Sequence, residues 1–160
     1  MPQIDEHLKW CLKDPKRLIK TKPDLDLAKK HVKKSEYNYG VVQALEKLKI
    51  YDWAFNVGFY AIYHCFLAIL ARYGYESRNQ ACTTTVLLTL INEKKLNLDK
   101  DLVAQFDTLD VEKNIINLTV REKREISTYG VETSIDLQQL KRIKELILEV
   151  QRETIRILGE

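Results

Sequence analysis

Residues 53–71, WAFNVGFYAIYHCFLAILA, run for nineteen positions without a formally charged side chain, in a chain of which 31% is charged. A segment this long and this neutral has to leave water, and where it goes decides the fold. Its length reaches the ~20 residues a helix needs to cross a bilayer. However, Asn56, Gly58, Tyr60, Tyr63 and His64 lie near its middle, where lipid leaves polar groups without partners. The run is therefore expected to be a protein-enclosed core helix, with no membrane segment, apolar on all sides because other helices surround it.

Within this helix three stripes follow alternating four- and three-residue spacing. Ala54, Gly58, Ala61, Cys65 and Ala68 are small, whereas Phe55, Phe59, Ile62, Phe66 and Ile69 are bulky. Trp53, Val57, Tyr60, His64 and Leu67 make a mixed third stripe. Small residues let a neighbouring helix axis come close, and large ones fill the space that remains.

Proline occurs only at positions 2, 15 and 23, and the chain has five glycines. Nothing after residue 23 forbids long helices, and alternating strand patterns are absent, so the fold class is all-α. Residues 1–23 read as a basic N-terminal arm, a short helix over 4–12 followed by an irregular connection. Residues 24–160 read as a helical domain. Its first helix starts at Asp24 or Asp26, where a carboxylate meets free amides. Leu27, Val41, Ala44, Leu45 and Leu48 are expected on the buried face, and Gly40 marks a close approach or a kink. The next helix starts with Asp52 as N-cap and stops at Gly74. A third covers residues 79–93, where the branched Thr83, Thr84 and Thr85 weaken its start. A fourth runs from Asp99 to about Gly130 with Leu102, Phe106, Leu109, Ile116 and Val120 on one face. A last helix over 134–158 repeats Leu140, Ile143, Ile147, Val150, Thr154 and Ile157 at threes and fours, the seam of an antiparallel bundle helix or a dimer contact.

The formal charge is +3. Residues 1–34 nevertheless hold ten Lys or Arg against five acids, a local field that attracts phosphate-bearing partners or maintains solubility. Cys11, Cys65 and Cys82 are odd in number and lack a CxxC spacing, so neither a disulfide framework nor a zinc site is expected. Asp5, Glu6 and the following lysines interrupt any apolar signal core, and a cytoplasmic location is expected.

Glycine-rich phosphate loops, HExxH and GxSxG are absent, and no cofactor or metal is expected. Asn117, Arg121, Arg124, Thr128 and Tyr129 form the best polar cluster, since residues three and four apart share a helix face. Two arginines there can grip a phosphate with forked donors, or can simply complement the negative helix end and pair with Glu125. His64, with Tyr60 and Tyr63 close by, is an acid–base candidate or a satisfied core histidine. His31 sits among lysines and is expected to face solvent.

The order of features, a lysine-rich helix, then GFYAIYHCFLAILARYG, a polar turn with a short helix, and REKREISTYG before a final helix, resembles the HEPN superfamily of small helical domains. Phe59, Tyr60, Ala61, Ile62, Tyr63, His64, Leu67 and Leu70 carry the likeness to its YYAMFHA-like second helix, and the resemblance as a whole covers roughly residues 24–158. The resemblance implies an up-and-down bundle of four to five helices, a homodimer, and pairing with a minimal nucleotidyltransferase as toxin and antitoxin. It also implies metal-independent ribonuclease chemistry from an arginine and a histidine four to six residues apart. Here Arg124 is followed, after four residues, by Tyr129, and a phenol with an ordinary pKa near 10 is a poor base at neutral pH. The expectation is thus a dimer binding RNA, a nucleotide or a partner protein through Asn117, Arg121, Arg124, Thr128, Tyr129 and Tyr60. The alternatives are a ribonuclease toxin using Arg124 with Tyr129 or His64, and a purely structural helical interaction module.

Overall fold

The computed structural model describes residues 2–106, 120–129 and 135–160, and within these not the side chains of residues 2, 123 and 126–129. The protein is an all-α helical bundle. Its helices are α1 (Pro2–Leu12), α2 (Leu25–Lys47), α3 (Tyr51–Tyr73), α4 (Gln80–Asn92), α5 (Lys100–Phe106), α6 (Val120–Tyr129) and α7 (Leu137–Leu158), with two short strands, β1 (Leu18–Lys20) and β2 (Tyr75–Ser77). The helix expected over 99–130 is described as α5 and α6; Leu109, Ile116 and Gly130 lie outside the described residues.

The neutral run becomes α3, against which α2, α7, α6 and α4 pack. It is the one described helix long and apolar enough to cross a membrane, yet 67% of its most apolar window is buried inside the protein. The small and bulky stripes are buried. Gly58 is where α7 comes close, because a Cβ there would lie 3.1 Å from Ile143 Cδ1 and 3.3 Å from Ile147 Cδ1. The third stripe corrects the expectation of a fully surrounded helix: Trp53 is 52% and Tyr60 37% exposed. Asp52 is not the cap either, since Ile50 occupies the cap position without a side-chain bond. Asp52 therefore sits in the first turn, where its charge still favours the positive helix end. Gly74 closes α3 in the left-handed region at φ 84°. A Cβ there would sit 2.7 Å from the Thr21 carbonyl oxygen, so both conformation and space call for glycine.

Asp24 caps α2 by accepting from the Leu27 amide, as expected. The buried face of α2 differs from the expected one: Ala28, Val32, Ser35, Asn38 and Val42 point inward, whereas Leu27, Ala44 and Leu48 are exposed. A polar knot explains this. The Ser35 hydroxyl donates to the Ala61 carbonyl at 2.7 Å and accepts from Gln151 Nε2 at 3.0 Å, with Cys65 Sγ at 3.2 Å. One hydroxyl thus joins α2, α3 and α7, and burial pushes the Cys65 thiol up to about 11 against the opposing Ser35 bond. Gly40 marks no close approach, as nothing lies within 4 Å of a Cβ built there.

The three threonines opening α4 are all buried, and each hydroxyl returns to a carbonyl one turn back: Thr83 to Asn79, Thr84 to Gln80 and Thr85 to Ala81. Their branched carbons fill core space while the hydroxyls are satisfied within the helix. In α7 the expected seam of Leu140, Ile143, Ile147, Val150, Thr154 and Ile157 is buried in this chain's own core, so the dimer-contact alternative for that seam falls away. Asp136 and Gln139 form a reciprocal capping box at its start.

The basic arm packs into the same core. Residues 18–20, expected to be irregular, form β1 and pair antiparallel with β2, Leu18 opposite Ser77 and Lys20 opposite Tyr75. Cys11 and Leu18 are fully buried. The cysteine reading needs correction, since Cys11 and Cys82 form a disulfide joining α1 to α4 across 71 positions. A pair so distant in sequence leaves no local spacing signal; only the packing of α1 on α4 brings it together.

Candidate functional site

The open stripe of α3 meets α6 at its aromatic end. Arg124 is 7% exposed, and its guanidinium carbon stands 4.5 Å from the Phe59 ring centroid and 5.7 Å from that of Tyr60. A cation over ring faces is held by their quadrupoles, worth about 2 kcal/mol where water is excluded. Glu125 offsets the charge, its Oε1 lying 3.8 Å from Arg124 and 3.5 Å from Arg121 Nε. Arg121 is the more open of the two arginine side chains, 30% exposed against 8%. Phe59 is anchored beneath by stacking on Phe106 at 4.8 Å and on Tyr63 at 6.0 Å. Tyr63 shares a hydrogen bond with Thr83 at 3.2 Å, and burial, the leading cause, raises its phenol pKa.

Two of the expected contributors, Tyr60 and Arg124, are thus brought into contact, and Arg121 joins Arg124 through Glu125 as the pairing alternative anticipated. Phe59 was expected only as core filling; it is the floor of the arginine site. Trp53 lies seven residues before Tyr60, on the same side of α3, and extends the exposed aromatic surface. Asn117 lies outside the described residues, as do the side chains of Thr128 and Tyr129.

His64 makes a different connection. Its Nδ1 lies 3.0 Å from His31 Nδ1 on α2, so His31 is half-buried in this pair rather than turned to solvent. One imidazole must present Nδ1–H and the other a bare Nδ1. Burial lowers the pKa of both, and for His64 burial, His31 and the nearby Lys34 together bring it to about 4. A neutral histidine already engaged at Nδ1 is a weak acid–base candidate at pH 7.

What the site offers chemically is a pair of cations, with Glu125 as a compensating carboxylate, beside partly exposed aromatic rings. Such a surface suits planar rings that carry phosphate. No family model and no curated protein matches this chain in sequence.

Proposed function

We propose that this protein is a HEPN-like domain that binds single-stranded RNA or a nucleotide on the α3–α6 face. Arg121 and Arg124 take the phosphate, and Tyr60 with Trp53 stacks a base. The observation that carries this reading is the Arg124 guanidinium held over Phe59 and Tyr60 beside Arg121. Preorganised cations lose little freedom on meeting an anion, and base–aromatic stacking contributes about 1–3 kcal/mol per base. The resemblance adds a homodimer and a minimal nucleotidyltransferase partner within a toxin–antitoxin pair, and the basic segment of residues 1–34 would extend the electrostatic attraction to a longer strand.

The test is fluorescence anisotropy with a short labelled single-stranded RNA, with ATP as competitor, at two salt concentrations. Arg121→Ala and Tyr60→Ala are expected to weaken binding, and Arg121→Ala to lower the salt slope by about 1. Circular dichroism on Arg124→Ala checks that its loss of binding occurs in a folded chain. Equal affinity in all three variants, or no wild-type binding at low salt, overturns the reading. Cleavage of the same RNA, abolished by Arg124→Ala, would instead favour the ribonuclease alternative with Tyr129 or His64. Light scattering on the same sample reads the oligomeric state.

A further inference from the structure

On the side of the fold where the arm docks, three metal-ligating side chains converge that the RNA-binding reading does not use. His7 and Cys11 lie four residues apart on one face of α1, and Cys82 lies in the first turn of α4. Their donor atoms all fall within 4.8 Å of one another, and both cysteines are buried. His7 Nδ1 is 3.8 Å from Cys11 Sγ, close to the ~3.6 Å that separates a nitrogen from a sulfur on a tetrahedral zinc ion with ordinary bond lengths. The imidazole is held there by Thr85 at 2.6 Å and by stacking on Trp10 at 5.4 Å.

We propose that, once the bridge is reduced, Cys11, Cys82 and His7 bind a single zinc-class divalent cation, which then pins α1 to α4 in place of the sulfur–sulfur bond. A dithiol reductant supplies two electrons and two protons, the Cys11–Cys82 bond breaks to two thiols, and the reductant leaves as its own disulfide. The cation then displaces both thiol protons to solvent and forms two metal–sulfur bonds and one metal–nitrogen bond. In a reducing compartment such a pair is held as thiols, which makes the metal form the resting one there.

Geometry and charge both favour this set. The helical i,i+4 spacing presents His7 and Cys11 side by side, and the α1–α4 cysteine Cα atoms are 5.8 Å apart, so side-chain adjustments suffice: the two sulfurs separate to about 3.8 Å, and the imidazole turns from Thr85 towards them. Cys82 sits at the positive end of α4, whose N-cap Asn79 accepts from its amide at 3.0 Å, and that end favours a thiolate. Two thiolates and a neutral imidazole cancel the dication, so the buried assembly carries no net charge. The Thr85 hydroxyl, now 2.6 Å from His7 Nδ1, gives up that nitrogen and keeps its bond to the Ala81 carbonyl.

The full chain, reduced with a phosphine and kept anaerobic, is titrated with cobalt(II) and then zinc(II). Expected are one equivalent of bound cobalt, a thiolate-to-cobalt charge-transfer band, the visible bands of a tetrahedral site, and their loss on adding zinc. His7→Gln should weaken cobalt binding by about tenfold or more, Cys82→Ser should cut the charge-transfer band to about half or less because one thiolate of two is lost, and the oxidised chain should take up no metal there. Folded reduced chain without a thiolate–cobalt band overturns the proposal, as does unchanged affinity in His7→Gln. If the reduced metal-free chain is unfolded, zinc must restore its helical circular dichroism; failure to do so overturns the proposal equally.

Discussion

Acidification should weaken the fold through the histidine pair between α2 and α3. The two rings share one proton between their Nδ1 atoms. A first added proton can settle on the outer nitrogen of the donating ring and leave the bond intact; a second must put hydrogen against hydrogen. The pKa of His64 in the folded chain is about 4 against an ordinary 6.5, so the unfolded chain takes up protons first as pH falls. Stability is therefore full above about pH 6.5 and declines from there down to about pH 4. At 1.36 kcal/mol per pH unit the ceiling is about 3.4 kcal/mol. Because His64 is only half-buried, solvent screening reduces this to about 1–2 kcal/mol. Urea unfolding followed by tryptophan fluorescence, at steps from pH 7.5 to 4.5, measures the slope. His64→Gln removes the titrating group, and its difference from wild type should shrink or reverse as pH falls through that window. Parallel pH profiles for the two proteins would refute the assignment.

Three further outcomes follow from positions already described. Replacing both Cys11 and Cys82 with serine removes a cross-link spanning 71 positions, which should cost about 4 kcal/mol by loop-closure entropy in chelator-treated, oxidised samples; a urea-derived loss below about 1 kcal/mol would contradict it. Gly40→Ala, inside α2 with open space around it, should stabilise by about 1 kcal/mol and raise Tm by a few degrees, and an unchanged or lower Tm in a thermal scan would count against that. Gly58→Val, by contrast, pushes a branched side chain against Ile143 and Ile147 and should destabilise by about 1–3 kcal/mol, read from the same scan.

How far the chain could be read in advance depended on how local each signal was. The α7 seam was visible because one period runs unbroken through its helix, and every residue assigned to it is buried. The α2 face was misread because Ser35 and Asn38 occupy core positions. The worth of Ser35 lies in hydrogen bonds to other helices, which an apolar count does not register. The arginine spacing in α6 was local and visible. That Arg124 rests on Phe59 was not, since it requires α6 to cross α3, and nothing in either segment specifies the crossing. Likewise His31 looked solvated among lysines until α3 supplied a second imidazole, and the odd cysteine count hid a pairing set by the docking of α1.

The first helix is held twice, by sulfur at its far end and by a short backbone ladder just beyond it. The exposed lysines between these anchors, Lys13 and Lys16, are natural cutting points for a trypsin-like protease. A chain nicked there would still migrate as one species, and the severed leading peptide would come free only when a thiol is added.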